Sequence, residues 1–233
     1  MMNSSLDGRL SSAAKFVRQG ARFADIGTDH AYLPIFLLLN KIIDSAVCSD
    51  INEGPLNTAR EHARAAGVFD RIEFILADGA DALCGMGVTD FAICGMGGEL
   101  ISEIIERAKF LRCGGVRLIL QPMSRPAFVR RTLAGLGFST VGESYSEVQG
   151  KLYVTICADY SGKARSISES EAEFGEEKFI LPLREEKLLY FKRKREALKK
   201  AAAGKAAGGE ENSREAELFS YINDIINENG ENV

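Results

Sequence analysis

No pair of cysteines in this chain has C-x-x-C spacing, and the five present (Cys48, Cys84, Cys94, Cys113 and Cys157) lie mostly in apolar, strand-like contexts. That pattern argues against a zinc site or a redox pair, so no metal is expected and the thiols read as buried and reduced. No apolar run approaches membrane-spanning length, which argues against a membrane partner. Residues 1–15 lack the basic region and apolar core of a signal peptide, so a cytoplasmic protein is the expectation. Positive charge is not in excess: 33 acidic residues face 29 lysines and arginines, for a net charge of −4. Any anionic partner must therefore be met by local patches. Histidine is scarce, with His30 and His62 alone, and there is no internal repeat.

What the chain does carry is alternation. Residues 22–26, 45–49, 72–76, 91–94 and 116–121 read as strands, and 32–39, 55–66, 100–108 and 126–136 as the helices between them. An amphipathic helix over 6–18 precedes them. Pro55 suits a first helical turn and Gly67 a helix stop. Such alternation predicts an α/β, Rossmann-like, mostly parallel sheet with right-handed crossovers. Two adjacent strands, 138–148 and 151–160, would then close the sheet with an antiparallel edge hairpin. Residues 1–160 are thus expected to form one domain. The remainder, 161–233, reads as a polar linker (161–173), a long charged helix (183–203), a glycine-rich turn (201–209) and a second helix (211–229). Two such helices predict an antiparallel helical hairpin.

Three successive strand ends carry an acid: Asp25-Ile26-Gly27, Asp50-Ile51-Asn52 and Asp78-Gly79. Carboxylates so spaced suit an adenosine-containing ligand lying across the carboxyl edge of a parallel sheet. Gly27 allows backbone to approach it, Asp50 (with Ile51 beside it) accepts both ribose hydroxyls, and Asp78 with Gly79 meets the adenine edge. The first turn is not G-x-G-x-x-G, because Asp29 stands two positions after Gly27. A carboxylate there repels a pyrophosphate but suits the ammonium and sulfonium charges of S-adenosyl-L-methionine. Asp29 is otherwise a helix N-cap for the amides of Ala31 or Tyr32. His30 is either a scaffold residue or a catalyst, and Tyr32 either stacks on a base or packs at the start of its helix. His62 reads as part of a solvated helix face. Gly95, Met96, Gly97 and Gly98 end the fourth strand beside the expected methyl donor, where glycine permits close approach to a flat substrate or simply a tight turn. Gln121 and Pro122, followed by Met123, Ser124 and Arg125, form the far wall. Candidate anion patches are Arg9, Lys15, Arg18 and Arg22 near the cofactor mouth; Arg125, Arg130 and Arg131; and Lys192, Arg193, Lys194, Arg195, Lys199 and Lys200, which otherwise form a solvated hairpin face.

The block Ala24-Asp25-Ile26-Gly27-Thr28-Asp29-His30-Ala31-Tyr32-Leu33-Pro34, with Gly95-Met96-Gly97-Gly98 and Leu118-Ile119-Leu120-Gln121-Pro122, resembles the bacterial tRNA adenine-N1 methyltransferases that modify adenine 22. The resemblance spans nearly the whole chain. It implies a class I methyltransferase fold, S-adenosyl-L-methionine as cofactor and tRNA as partner. Met123 stands where that family usually carries asparagine. The absence of an Asn/Asp-Pro-Pro-Tyr loop, shared with the family, fits a ring-nitrogen target rather than an exocyclic amine. Asp29, then His30, are the candidate catalytic groups, acting on an adenine splayed out of its pairing. A small-metabolite methyltransferase and a non-catalytic RNA-binding protein with a vestigial cofactor site are the alternatives, and a monomer is the expected state.

Overall fold

Five parallel strands laid side by side, with a two-stranded antiparallel extension, run through the middle of the molecule. A computed structural model describes residues 6–183 and 185–229. In chain order the elements are α1 (Gly8–Ala14), β1 (Phe23–Ile26), α2 (Tyr32–Leu39), β2 (Ala46–Asp50), α3 (Glu53–Ala65), β3 (Ile72–Leu76), β4 (Asp90–Met96), α4 (Gly98–Arg107), β5 (Arg117–Pro122), α5 (Pro126–Gly135), β6 (Phe138–Val148) and β7 (Lys151–Tyr160). Four helices follow: α6 (Glu169–Phe174), α7 (Glu177–Ile180), α8 (Glu185–Ala207) and α9 (Arg214–Asn229). The sheet order is β3-β2-β1-β4-β5-β7-β6, with β7 antiparallel to both β5 and β6.

Strands β1 and β4 are apolar at successive positions because helices cover both faces of the sheet. On one face Phe23, Cys48 and Ala92 pack with Leu33, Leu37, Ala59 and Ala63 from α2 and α3, and with Ala13 and Val17. On the other, Ile26, Phe91 and Leu120 pack with Ile101, Ile105 and Val129 from α4 and α5. That second cluster continues without a break through Tyr145 and Phe174 into Phe191, Leu218, Ile222 and Ile226 of the helical hairpin. The hairpin's root is therefore part of the same core as the sheet.

Four of the differences from the sequence expectation have a plain physical reason. Helix α1 stops at Ala14 rather than residue 18, because the backbone N–H of Arg18 turns to donate to the buried Asp90 carboxylate at 2.9 Å. Strand β4 runs on to Met96 through an irregularity at Gly95, whose φ of +80° suits glycine. The expected polar linker contains α6, capped by Ser168 accepting from the Glu171 N–H at 3.1 Å, with Ala172 and Phe174 buried. Helix α8 passes through the expected turn to Ala207, since Ala201, Ala202, Ala203, Ala206 and Ala207 offset the roughly 1 kcal/mol cost of Gly204.

Candidate active site

The loop after β1 is tied down by its neighbours. Gly27 and Thr28 both donate their N–H groups to the Ser49 carbonyl, at 2.8 and 3.0 Å. Gly27 has a φ of +74°, and a Cβ there would stand 1.9 Å from the Met96 Cε. The Met96 side chain thus lies over Gly27 in the space a side chain at residue 27 would fill. Beneath them the buried Asp25 accepts from the Thr28 hydroxyl at 2.7 Å. Burial pushes the Asp25 carboxyl up to about 6, the Thr28 bond opposes this, and the nearby Asp50 charge adds to it.

Next along the carboxyl edge, Asp50 accepts from the Asn52 N–H through Oδ1 at 2.8 Å, and its Oδ2 has no partner among the described residues. The Ile51 side chain is 62% exposed, and Leu76, the register partner of Asp50 on β3, is 57% exposed. Two exposed apolar side chains beside an uncommitted carboxylate oxygen fit a ribose and purine. Asp78 lies just beyond, paired through Oδ2 with Arg107 Nη1 at 3.2 Å. Gly79, at φ +76°, packs beneath that arginine: a Cβ would lie 2.5 Å from Arg107 Nη2. No local pattern pointed to Arg107, whose partners lie 26 and 29 residues away.

Asp29 and His30 occupy the bend between β1 and α2. The N-cap of α2 is Ala31, in the left-handed region with φ 54°, and no side chain caps it. Asp29 therefore does not serve as the cap. Its carboxylate instead meets His30 Nε2 at 3.1 Å, and its side chain is 73% exposed. His62 is not on a solvated face, contrary to expectation. It is half-buried, its Nδ1 lies 3.1 Å from the His30 carbonyl, and its ring stacks on His30 and Tyr32 with centroids 5.3 Å from each. His30 and Tyr32 stack at 5.0 Å. The available signal was spacing: His62 follows the buried Ala59 by three positions and borders the apolar face of α3.

The far wall is built mainly from backbone. Met123 N–H donates to the Met96 carbonyl at 2.8 Å, and Gly98 N–H to that of Ser124 at 3.0 Å. A Cβ on Gly98 would meet the Ser124 and Arg125 carbonyl oxygens at 2.7 and 2.6 Å, so this glycine lets α4 approach α5, whereas a Cβ on Gly97 would meet only Ser124 Oγ, at an ordinary 3.5 Å. Arg125 is exposed and paired with Glu99. Pro122 is buried, as is Gln121, whose amide nitrogen donates to the Arg9 carbonyl and the Thr155 hydroxyl, each at 2.9 Å. Gln121 thereby ties α1 to the sheet. Arg9 pairs with Asp7 and lies over the Tyr153 ring.

The expected cation patches change most. Arg18 donates to Asp90, to the Thr89 carbonyl and to the Gly115 carbonyl, all at the amino ends of β4 and β5. Asp90 is six residues from Met96, so roughly 20 Å of strand separates Arg18 from the site. Arg22 belongs to the same amino edge, and Lys15, at the far end of α1 from Arg9, is exposed. Arg130 is buried against Glu143, which also accepts from the Tyr145 hydroxyl at 2.8 Å. Arg131 pairs with Glu169, and Arg193, Lys194 and Arg195 are also paired. Lys192, Lys199 and Lys200 are exposed and make no salt bridge among the described residues. Burial raises the thiol pKa of Cys48, Cys94 and Cys157, whereas Cys84 and Cys113 are exposed, against expectation. Among the described residues no group of three or more His, Cys, Asp or Glu is arranged to hold a metal ion.

A mostly parallel sheet whose adjacent strand ends carry Asp25, Asp50 and Asp78 has the layout of a Rossmann-like, nucleoside-binding fold. Residues 6–156 match the family described as a methyltransferase domain, and the chain belongs to it. It is similar to the tRNA (adenine(22)-N(1))-methyltransferase of Bacillus subtilis, at 34% identity over 66% of this chain and 65% of that protein. The match thus spans just under two thirds of that relative's length. Over nearly the full chain it is similar to a Streptococcus pneumoniae protein proposed as a tRNA (m1A22) methyltransferase and crystallised with S-adenosyl-L-methionine. There the TM-score is 0.81 at 32% identity, over 94% of this chain and 99% of the other. TrmK of M. capricolum, solved with S-adenosyl-homocysteine, superposes with a TM-score of 0.72 at 25% identity over 97% and 96% of the two chains. Of these relatives, the B. subtilis protein is named as a tRNA (adenine(22)-N(1))-methyltransferase and the S. pneumoniae protein is proposed as one.

Proposed function

We propose that this chain transfers a methyl group from S-adenosyl-L-methionine to N1 of an adenine in tRNA, adenine 22 being the target. The carrying observation is near-full-length similarity, at 32% identity, to the S. pneumoniae protein crystallised with that cofactor. The carboxyl-edge geometry agrees with it. Asp50 Oδ2 is available to the ribose hydroxyls, Ile51 and Leu76 to the faces of the adenine, and Asp78 and Gly79 to its edge. Asp25 and the turns at Gly27, Gly95 and Met96 lie where the charged amino-acid end would be received. The cofactor supplies an electrophilic methyl group.

Adenine N1 brings its own electron pair, so the protein has to position and desolvate the base rather than generate a nucleophile. Asp29 is the exposed carboxylate on the first turn. It is placed to offset the positive charge gained by the ring or to take up the N6 proton, with His30 holding it at 3.1 Å. Tyr32, 44% exposed on its stack with His30 and His62, offers the target base a face. Lys192, Lys199 and Lys200 on the hairpin are the available phosphate contacts, and the division of labour runs between residues 1–160 for the cofactor and 161–233 for tRNA. A cytoplasmic location fits work on tRNA. No helix among the described residues is long and apolar enough to cross a membrane. Incubation with labelled S-adenosyl-L-methionine and unmodified tRNA, followed by nucleoside analysis, tests this reading. 1-Methyladenosine at position 22 supports it, and absence of label in tRNA refutes it.

A further inference from the structure

We infer that Arg107 is a positioning residue that sets the cofactor site's preference for a 6-aminopurine, an inference resting on the S-adenosyl-L-methionine reading above. Arg107 ends α4 and reaches back to the turn after β3. Its Nε meets Asp81 Oδ2 at 2.6 Å, its Nη1 meets Asp78 Oδ2 at 3.2 Å, and its Nη2 donates to the Asp78 carbonyl. One guanidinium thus holds the side chain and the backbone of the same residue while anchored on a second carboxylate. A planar fork spreads these contacts over three nitrogens held in fixed geometry, which a single ammonium nitrogen does not. One turn earlier, Ile104 packs against Gly79, and the guanidinium leaves no room for a Cβ there. On the other side the Ala77 N–H is bonded to the Asp50 carbonyl at 2.9 Å. The turn is therefore fixed from both ends.

Two groups on it are left uncommitted among the described residues: Asp78 Oδ1 and the Gly79 N–H. One is an acceptor and the other, on the next residue, a donor. An adenine presents the complement, a 6-amino donor beside the N1 acceptor. Hypoxanthine presents the reverse, a 6-oxo acceptor beside an N1–H donor, so both contacts would turn repulsive. Discrimination needs the carboxylate and the amide held in register, since an exposed aspartate free to rotate would swing away from a 6-oxo group. Arg107 supplies that restraint.

The test is calorimetric titration of the full chain with S-adenosyl-L-homocysteine and its 6-oxo analogue, S-inosyl-L-homocysteine. The wild type is expected to prefer the amino form by at least about tenfold. In Arg107→Ala that ratio should collapse toward unity, through tighter binding of the oxo form as the freed carboxylate swings away and weaker binding of the amino form. Asp81→Asn, which leaves Arg107 in place but weakens its anchor, should reduce the ratio by a smaller factor. A general loss of structure would weaken both ligands alike and leave the ratio unmoved, and an unmoved ratio overturns the inference. If the wild type binds neither ligand, the cofactor reading itself falls and the inference with it.

Discussion

Replacing Asp25 by asparagine should stabilise the ligand-free protein at neutral pH while impairing its use of the cofactor. The carboxyl is buried beneath the β1 turn, and burial moves its pKa from 3.8 to about 6. Such a move corresponds to on the order of 3 kcal/mol. The sign follows from proton binding. The folded state holds the Asp25 proton more tightly than the unfolded chain, so stability falls as pH rises from about 4 through 6. Above that window the penalty is fully present, and below it absent. Asparagine keeps an acceptor for the Thr28 hydroxyl and removes the charge. Urea unfolding of wild type and Asp25→Asn without cofactor should show the variant more stable by roughly 2–3 kcal/mol at pH 7.5, and no difference near pH 4. Calorimetry should show weaker S-adenosyl-L-methionine binding by the variant, because the ligand's ammonium loses its anion. A stability gap that is the same at both pH values, or a less stable variant at pH 7.5, would refute the reasoning.

Asp50→Ala should weaken cofactor binding at least about tenfold, from loss of charge-assisted bonds worth roughly 1.5–3 kcal/mol each, as read by calorimetry. Asp29→Asn should slow methyl transfer by roughly 10²-fold, the usual worth of a positioned proton acceptor. Since Asp29 caps no helix, both Asp29→Asn and Asp29→Ala should melt with the wild type, and a marked drop in melting temperature would return it to a structural role. Arg18→Ala should cost on the order of 3 kcal/mol of stability by leaving the buried Asp90 carboxylate with the backbone N–H of residue 18 but without its guanidinium, while cofactor affinity in the folded fraction stays level.

The strands were legible because an interior strand covered on both faces has to be a short apolar run, as at Phe23–Ile26, and strand β3 and the β6–β7 hairpin fall at the expected residues. The acids at their ends were legible for a related reason: a carboxylate just past an apolar strand stands at an edge. What the sequence could not reveal were partnerships made across the chain. Arg18 looked like a free cation on a helix near the site, yet its partner Asp90 is 72 residues away. Arg130 similarly spends its charge on Glu143 inside the core. His62 looked solvated because its helical neighbours Glu61 and Arg64 are charged, although a face boundary ran beside it. Helix α6 did carry a local sign, Ser168 three residues before Glu171, hidden in a polar stretch.

The burial of Phe191 in the sheet's own core makes the helical hairpin a rod with a fixed root. From Phe191 to the end of α8 at Ala207 is sixteen residues, a reach of about 24 Å. Phosphate contacts carry no sequence information, so lysines along such a rod cannot recognise an adenine by its neighbours. They can recognise it by distance. A folded RNA resting on the rod would offer the carboxyl edge only the nucleotide lying at the right remove from that contact, making selection a matter of length and shape. Lengthening or shortening α8 and α9 together would then change which nucleotide is reached before it changed how tightly the RNA is held.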